Sequence, residues 1–179
     1  SALKLKTIKI RNFRNIHELS WETGQGIHFI HGLNGQGKTS ILEAIYLLSN
    51  LRTFRDSNVQ DLIQEHQNFC QVIGSFSIDH TSQAELKVEL IQNGSRLEKK
   101  ASVNHKLCKS AVDYFGVKLN HSPIQFHAIN LNPASTDLIR RDPAYRRNYL
   151  NLVISSENTE YMGALKRYQK LLEQKNALL

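Results

Sequence analysis

The chain has 179 residues, 40% of them hydrophobic and 22% charged, enough for one domain with a real core or one domain with an appendage. No apolar stretch approaches the ~20 residues of a membrane helix, which excludes a helical span. Lys and Arg number 23 against 16 Asp and Glu, and the resulting net charge of +7 favours polyanionic partners.

Cys70 and Cys108 stand alone without CxxC spacing, which fits a reducing cytoplasm rather than a disulfide framework. The eight histidines are scattered, and no Cys/His cluster has zinc spacing. Leu3, Leu5, Ile8 and Ile10 predict a first strand, with Lys4, Lys6 and Lys9 largely on its other face. The step from Leu5 to Ile8 breaks alternation and predicts a bulge. Arg11 to Asn15 reads as a polar break around Phe13, and Ile16 to Trp21 as a second strand ended by Thr23-Gly24-Gln25-Gly26. The apolar run Ile27-His28-Phe29-Ile30 predicts a third, buried strand.

Gly32-Leu33-Asn34-Gly35-Gln36-Gly37-Lys38-Thr39 then fills every fixed position of the phosphate-loop pattern G-x-x-x-x-G-K-[ST]. Glycines there let backbone N–H groups turn toward anionic oxygens, and the following helix offers its positive end. Lys38 can reach β- and γ-phosphates, and the Thr39 hydroxyl can hold a magnesium ion. The helix predicted from Ser40 to Leu48 is apolar nearly all round apart from Glu43, as expected of one lying on a sheet and covered by other elements.

Leu51 to Asp56 is a basic loop, and Val59 to Glu65 predicts a short helix opened by Ser57 or Asn58. Three strands follow, Phe69 to Ile78, Ala84 to Gln92 and Arg96 to Val103, the last two joined by the hairpin signal Asn93-Gly94. Lys99 and Lys100 read as a polar strand face. Cys108 to Phe115 predicts a short helix, and Ile124 to Leu131 a strand between Pro123 and Pro133. Asp142-Pro143 opens a helix with Tyr145, Tyr149, Leu152 and Val153 on its apolar face, and Ser155 to Asn158 breaks it. The last helix carries Tyr161, Leu165, Tyr168 and Leu172, an incipient heptad seam still running at Leu179, as if cut there. Together these elements predict an α/β chain, mixed with α+β character: a P-loop NTPase core bearing an antiparallel β-layer.

Several of these segments resemble one family. Ile8-Lys9-Ile10-Arg11-Asn12-Phe13-Arg14-Asn15 and the run Asn34 to Ile45 resemble the opening and phosphate loop of SMC-like ATPase heads. Leu51-Arg52-Thr53-Phe54-Arg55, Tyr145 to Asn151 and Tyr168 to Leu179 resemble the RecF subgroup, and the landmarks run in order along the whole chain. The resemblance implies the N-terminal part of an ABC-type ATPase head over residues 1–155 and the first helix of an inserted helical arm, truncated, over 156–179. It implies ATP and magnesium, an ATP-dependent homodimer, DNA at single-strand/double-strand junctions, and RecO and RecR as partners in recombinational repair and replication-gap processing. The family's phosphate-loop role carries over onto Gly32, Leu33, Asn34, Gly35, Gln36, Gly37, Lys38 and Thr39, with Ser40 adjoining.

Two departures stand out. Ala134 follows Pro133 where RecF-like sequences tend to be acidic, and the approach Gln125 to Asn130 is longer than usual, so no nucleotide-sensing role is carried over there. The signature motif, the Walker B acid pair and the dimer-contact loop belong to the C-terminal half of such heads. No apolar run here ends in Asp-Glu. No catalytic residue is therefore assigned, and hydrolysis by this chain should be very slow.

Outside the loop, Arg11, Phe13, Arg14 and Asn15 are candidates to approach the adenine and ribose, because the resemblance places that segment near the nucleotide in SMC-like heads. The alternative has Phe13 in the core and both arginines in solvent. Arg52 and Arg55 are candidates for nucleotide or DNA, or form a solvated basic loop. Arg140, Arg141, Arg146 and Arg147 form the densest basic cluster and are candidates for DNA phosphates, or for pairing with acids such as Asp137 and Asp142. A P-loop kinase or other metabolic NTPase, or a transporter-type ABC ATPase, are the alternative functions. The first lacks a phosphoacceptor constellation here, and the second lacks an Arg-Asn-Phe-Arg opening and an arm-like last helix.

Overall fold

Strict alternation of apolar and polar residues builds the body of the molecule. A computed structural model describes residues 4–55, 58–77, 82–119, 122–123, 126–130 and 143–177. Strands β1 (Lys4–Phe13), β2 (Ile16–Glu22), β3 (Phe69–Ser77), β4 (Gln83–Asn93), β5 (Arg96–Val103) and β6 (Lys106–Cys108) form one antiparallel sheet in the order β2-β1-β3-β4-β5-β6. Every second residue of β3 is buried, from Cys70 through Val72 and Gly74 to Phe76. The predicted bulge is present as a register shift between Leu5 and Thr7 against β3. The β4–β5 hairpin closes at the Asn93–Arg96 pair, with Gly94 at φ 59°.

Helix α1 (Lys38–Asn50) lies on the apolar face of this sheet. Its Leu47 and Leu48 join Ile8, Ile10, Val72, Val88 and Leu90 in one buried core. The approach is close at Gly74, where a β-carbon would come within 2.9 Å of Leu48 Cδ1 and 2.8 Å of the Phe76 ring. Truncating Leu48 to alanine in such a setting costs about 2–5 kcal/mol.

A 3-10 turn, Val59–Leu62, replaces the short helix expected there, with Asn58 and Asp61 closing a capping box. Helix α2 (Ala111–Phe115) is shorter than expected because Cys108 belongs to β6. A two-residue pair joins β7 (Lys118–Leu119) and β8 (Ser122–Pro123). Helix α3 (Pro143–Glu157) runs through the expected break at Ser155, and Asn158 alone separates it from α4 (Thr159–Asn176). The Asn158 side chain accepts the Tyr161 N–H at 2.9 Å, so the N-cap residue fixes where α4 begins.

Two further expectations fail for one reason. The segment Ile27–Ile30 is not a strand: it has no regular structure, and Ile27 and Phe29 are 85% and 86% exposed. A strand needs a ladder partner for its N–H and C=O groups, and none of the described strands pairs with this segment. Residues 126–130 are likewise irregular, with Ile129 78% exposed, while the rest of that predicted strand lies outside the described residues. Conversely, the polar break at Arg11 does not occur, because β1 continues to Phe13 and turns at Arg14-Asn15. The seam on α4 is packed in its first half alone. Met162 is buried and Leu165 half-buried, whereas Tyr168 and Leu172 are 61% and 41% exposed.

Candidate nucleotide-binding site

The site forms where the β1–β2 hairpin tip meets the start of α1. Gly32, Gly35 and Gly37 have φ of 149°, 82° and 92°. Gly37 is the N-cap of α1 and is left-handed, and a β-carbon there would meet Ile16 Cγ1 at 3.2 Å and Asn15 Oδ1 at 3.3 Å. No side chain caps α1, and no acidic residue lies in its first turn. Its leading N–H groups and positive end are therefore left for a ligand, as anion binding at a helix start requires. Among the described residues, no backbone bond links the amides of Gly35 to Thr39 to the chain's own carbonyls.

Lys38 Nζ donates to the carbonyls of Gly32 and Leu33, at 2.7 Å each. The ammonium is thus held over the mouth of the loop with a third proton to give. Thr39 is exposed, and its hydroxyl makes no hydrogen bond among the described residues. Asn15 braces the loop from the hairpin: Nδ2 donates to the Gly35 carbonyl, and Oδ1 accepts from Ser40 Oγ at 2.9 Å. Ser40 is buried and used in this brace.

The sequence marks Glu43 as the one charged residue of an apolar helix, and the structure buries it completely. Arg14 grips it with two parallel bonds, Nε to Oε2 at 3.0 Å and Nη2 to Oε1 at 2.8 Å. Thr53 donates its hydroxyl to Oε1, and Arg55 Nε lies 3.5 Å from Oε2. Arg14 Nη1 also donates to the Asp61 carbonyl at 2.9 Å, which ties the hairpin tip to the 3-10 turn. A buried carboxylate needs such partners, and two cations meet that need here. Its effect is to stand Arg14 and Arg55 beside Lys38 and Thr39 along one groove of about 920 Å³. The residues present fit a bound polyphosphate with magnesium: a glycine cradle, an uncapped helix start, an ammonium, a free hydroxyl and two anchored guanidinium groups.

The other candidates fall elsewhere. Arg11 lies over the Phe69 ring at 5.6 Å and does not line the groove. Phe54 packs edge-on against Tyr46 at 5.4 Å, and Arg52 borders a different cavity from the one that Arg55 lines. Arg146 and Arg147 are exposed on the first turns of α3, while Arg140 and Arg141 lie outside the described residues, as do Ala134 and Asp142. Lys99 is more than a polar strand face, since its ammonium donates to the Leu51 carbonyl at 2.9 Å. Glu43 is the functional residue that sequence reasoning missed, while Asn15, read as a neighbour of the adenine and ribose, instead braces the loop. Glu43 carried a signal, being a lone charge on a helix otherwise read as buried.

Among the described residues, no helix is long and apolar enough to cross a membrane, and no group of three His, Cys, Asp or Glu could hold a metal. The RecF/RecN/SMC N terminal domain family matches residues 4–129. The DNA replication and repair protein RecF of Oenococcus oeni is 31% identical over 98% of this chain and 43% of its own length. That of Leptospira interrogans is 33% identical over 98% of this chain and 45% of its own. A solved structure of the recombination mediator protein RecF with ATP superposes with a TM-score of 0.86 at 32% identity, over 99% of this chain and 44% of that one. An SMC ATPase structure, at TM-score 0.57 and 17% identity over 83% of this chain, shares the fold alone. The chain spans somewhat under half the length of the RecF relatives it matches. It belongs to the RecF/RecN/SMC N-terminal domain family, with an ATPase-head fold of mixed helices and an antiparallel sheet.

Proposed function

We propose that this chain is the nucleotide-gripping part of a RecF-type, ATP-dependent DNA repair protein that acts in recombination and replication-gap processing in the cytoplasm. The observation that carries the reading is the groove in which Lys38, Thr39, Arg14 and Arg55 converge on an uncapped helix start. The amides of Gly35 to Thr39 would cradle the phosphates, Lys38 would leave its carbonyls for β- and γ-oxygens, and Thr39 would ligate magnesium. ATP with magnesium supplies the transferable phosphoryl group and the metal charge. Arg14 and Arg55, fixed by Glu43, add positive charge without the reorganisation a mobile side chain would need. Thr39 is the one magnesium ligand assigned here, so turnover by this chain alone is expected to be very slow.

DNA at single-strand/double-strand junctions, RecO and RecR as partners, and an ATP-dependent homodimer are part of this proposal, supported by the RecF relatives. So is a head over residues 1–155 with an arm beginning at 156, although α3 spans that boundary. Exposed Ile27 and Phe29 fit a strand that pairs with a part of the head outside this chain. Arg146 and Arg147 are proposed DNA-phosphate contacts.

Titration of ATP and GTP, each with magnesium, tests the central reading. ATP should bind, and Lys38→Ala should weaken it tenfold or more, since charge-assisted bonds contribute about 1.5–3 kcal/mol. Unchanged ATP affinity in Lys38→Ala would sink it. Gel-shift titration with gapped duplex should show affinity falling steeply with salt.

A further inference from the structure

At the other end of α1 lies a cavity of about 220 Å³ between the sheet and the α3–α4 pair. Three cations from three separate elements border it: Arg52 from the loop after α1, Lys99 from β5 and Lys166 from α4. Among the described residues that line it there is no carboxylate. Nor does any described ion pair involve Arg52, Lys99 or Lys166.

One of the three is partly explained by the fold. Lys99 donates to the carbonyl of Leu51, the C-cap of α1, where a helix end favours a cation. That leaves two ammonium protons unused. Nothing comparable accounts for Arg52 and Lys166, which bring like charge to a sheltered ammonium. Shelter from water and the neighbouring Arg52 and Lys166 together hold the Lys99 ammonium below the ordinary lysine range. An anion among the three would reverse that. Asn151 adds a donor, because its Oδ1 accepts from the Tyr161 hydroxyl at 2.7 Å and so its amide N–H groups remain to be used.

Size selects the ligand. Pockets for drug-sized molecules run to roughly 300–1,000 Å³, so this one suits a single compact oxyanion rather than a nucleotide. Guanidinium and ammonium groups that border one cavity with no counter-ion among the described residues match phosphate best. We propose that Arg52, Lys99 and Lys166 form a second phosphate site, separate from the nucleotide groove, which takes one phosphate group from free phosphate or from a nucleic-acid backbone.

The test is a titration of inorganic phosphate into the Lys38→Ala chain, followed by calorimetry and by amide NMR. Removing Lys38 weakens the loop's own hold on phosphate, so failure of the nucleotide reading and failure of this one remain distinguishable. One phosphate should still bind per chain, with the largest shifts at Arg52, Lys99 and Asn151. Arg52→Gln and Lys166→Gln, both exposed and so safe for the fold, should each weaken it about tenfold. Displacement of that phosphate by a short oligothymidylate supports the site and assigns it to a nucleic-acid backbone. Continued phosphate binding beside the oligonucleotide supports the site and assigns it to free phosphate. No binding to the Lys38→Ala chain, or an affinity unmoved by either substitution, overturns the proposal.

Discussion

The two ends of α1 each gather positive charge, and they use it oppositely. At the N-terminal end, Arg14 and Arg55 are held by buried Glu43, so their charge is fixed in position and partly neutralised. At the C-terminal end, Arg52, Lys99 and Lys166 border a cavity with no carboxylate among its described lining. Only Thr53 and Phe54 separate Arg52 from Arg55 in one loop, and Phe54 packs on Tyr46 while the two arginines border different cavities. Basic residues close in sequence thus serve different surfaces, and net charge alone would not have told them apart.

Glu43→Ala should break the comparison hardest. It strips two cations of their counter-ion at a fully buried site, and denaturant unfolding should show a loss of about 3–5 kcal/mol. Arg14→Ala should cost less than Glu43→Ala, because Arg55 and Thr53 still face the carboxylate. Equal stability of the wild type and Glu43→Ala would show that the pair does not organise this end.

The sheet beneath both ends supplies a pH test. Burial pushes the Cys70 thiol from 9.0 up to about 12. A raised folded-state pKa gives stability that is present below pH 9 and lost as the pH rises toward 12, because the unfolded thiol ionises first. Unfolding midpoints across that window should fall, and Cys70→Ala should flatten the fall. A wild-type curve no steeper than the variant's would contradict this.

A smaller effect sharpens the N-terminal end. Asn15→Ala removes the bonds to Gly35 and Ser40 and should cost about 1 kcal/mol of stability, with a matching few-fold loss of ATP affinity in a binding titration. At the other end, Arg52→Gln and Lys166→Gln should move stability by no more than about 0.5 kcal/mol. A loss comparable to that of Glu43→Ala would mean these cations are structurally paired after all.

Most of the sheet was legible in the sequence because β3 and β4 alternate cleanly, and alternation reports which face meets a core. The Asn93-Gly94 turn and the phosphate loop were legible because their chemistry is local. Ile27–Ile30 was misread as a paired strand, since apolar content says that a segment wants burial but not where its ladder partner is. Glu43 was seen as an exception and not as an anchor, because its partners lie 29 and 12 positions away and only the fold brings them together. The same holds for Lys99, whose partner is the end of a helix 48 positions earlier.

The central claim is that the backbone amides after Asn34 close around a polyphosphate. Amide NMR during an ATP–magnesium titration tests it directly. The largest shifts should fall on Gly35, Gly37, Lys38 and Thr39, with those at Arg52 and Lys99 nearly still at sub-stoichiometric ATP. Unmoved loop amides alongside saturating shifts elsewhere would contradict the account.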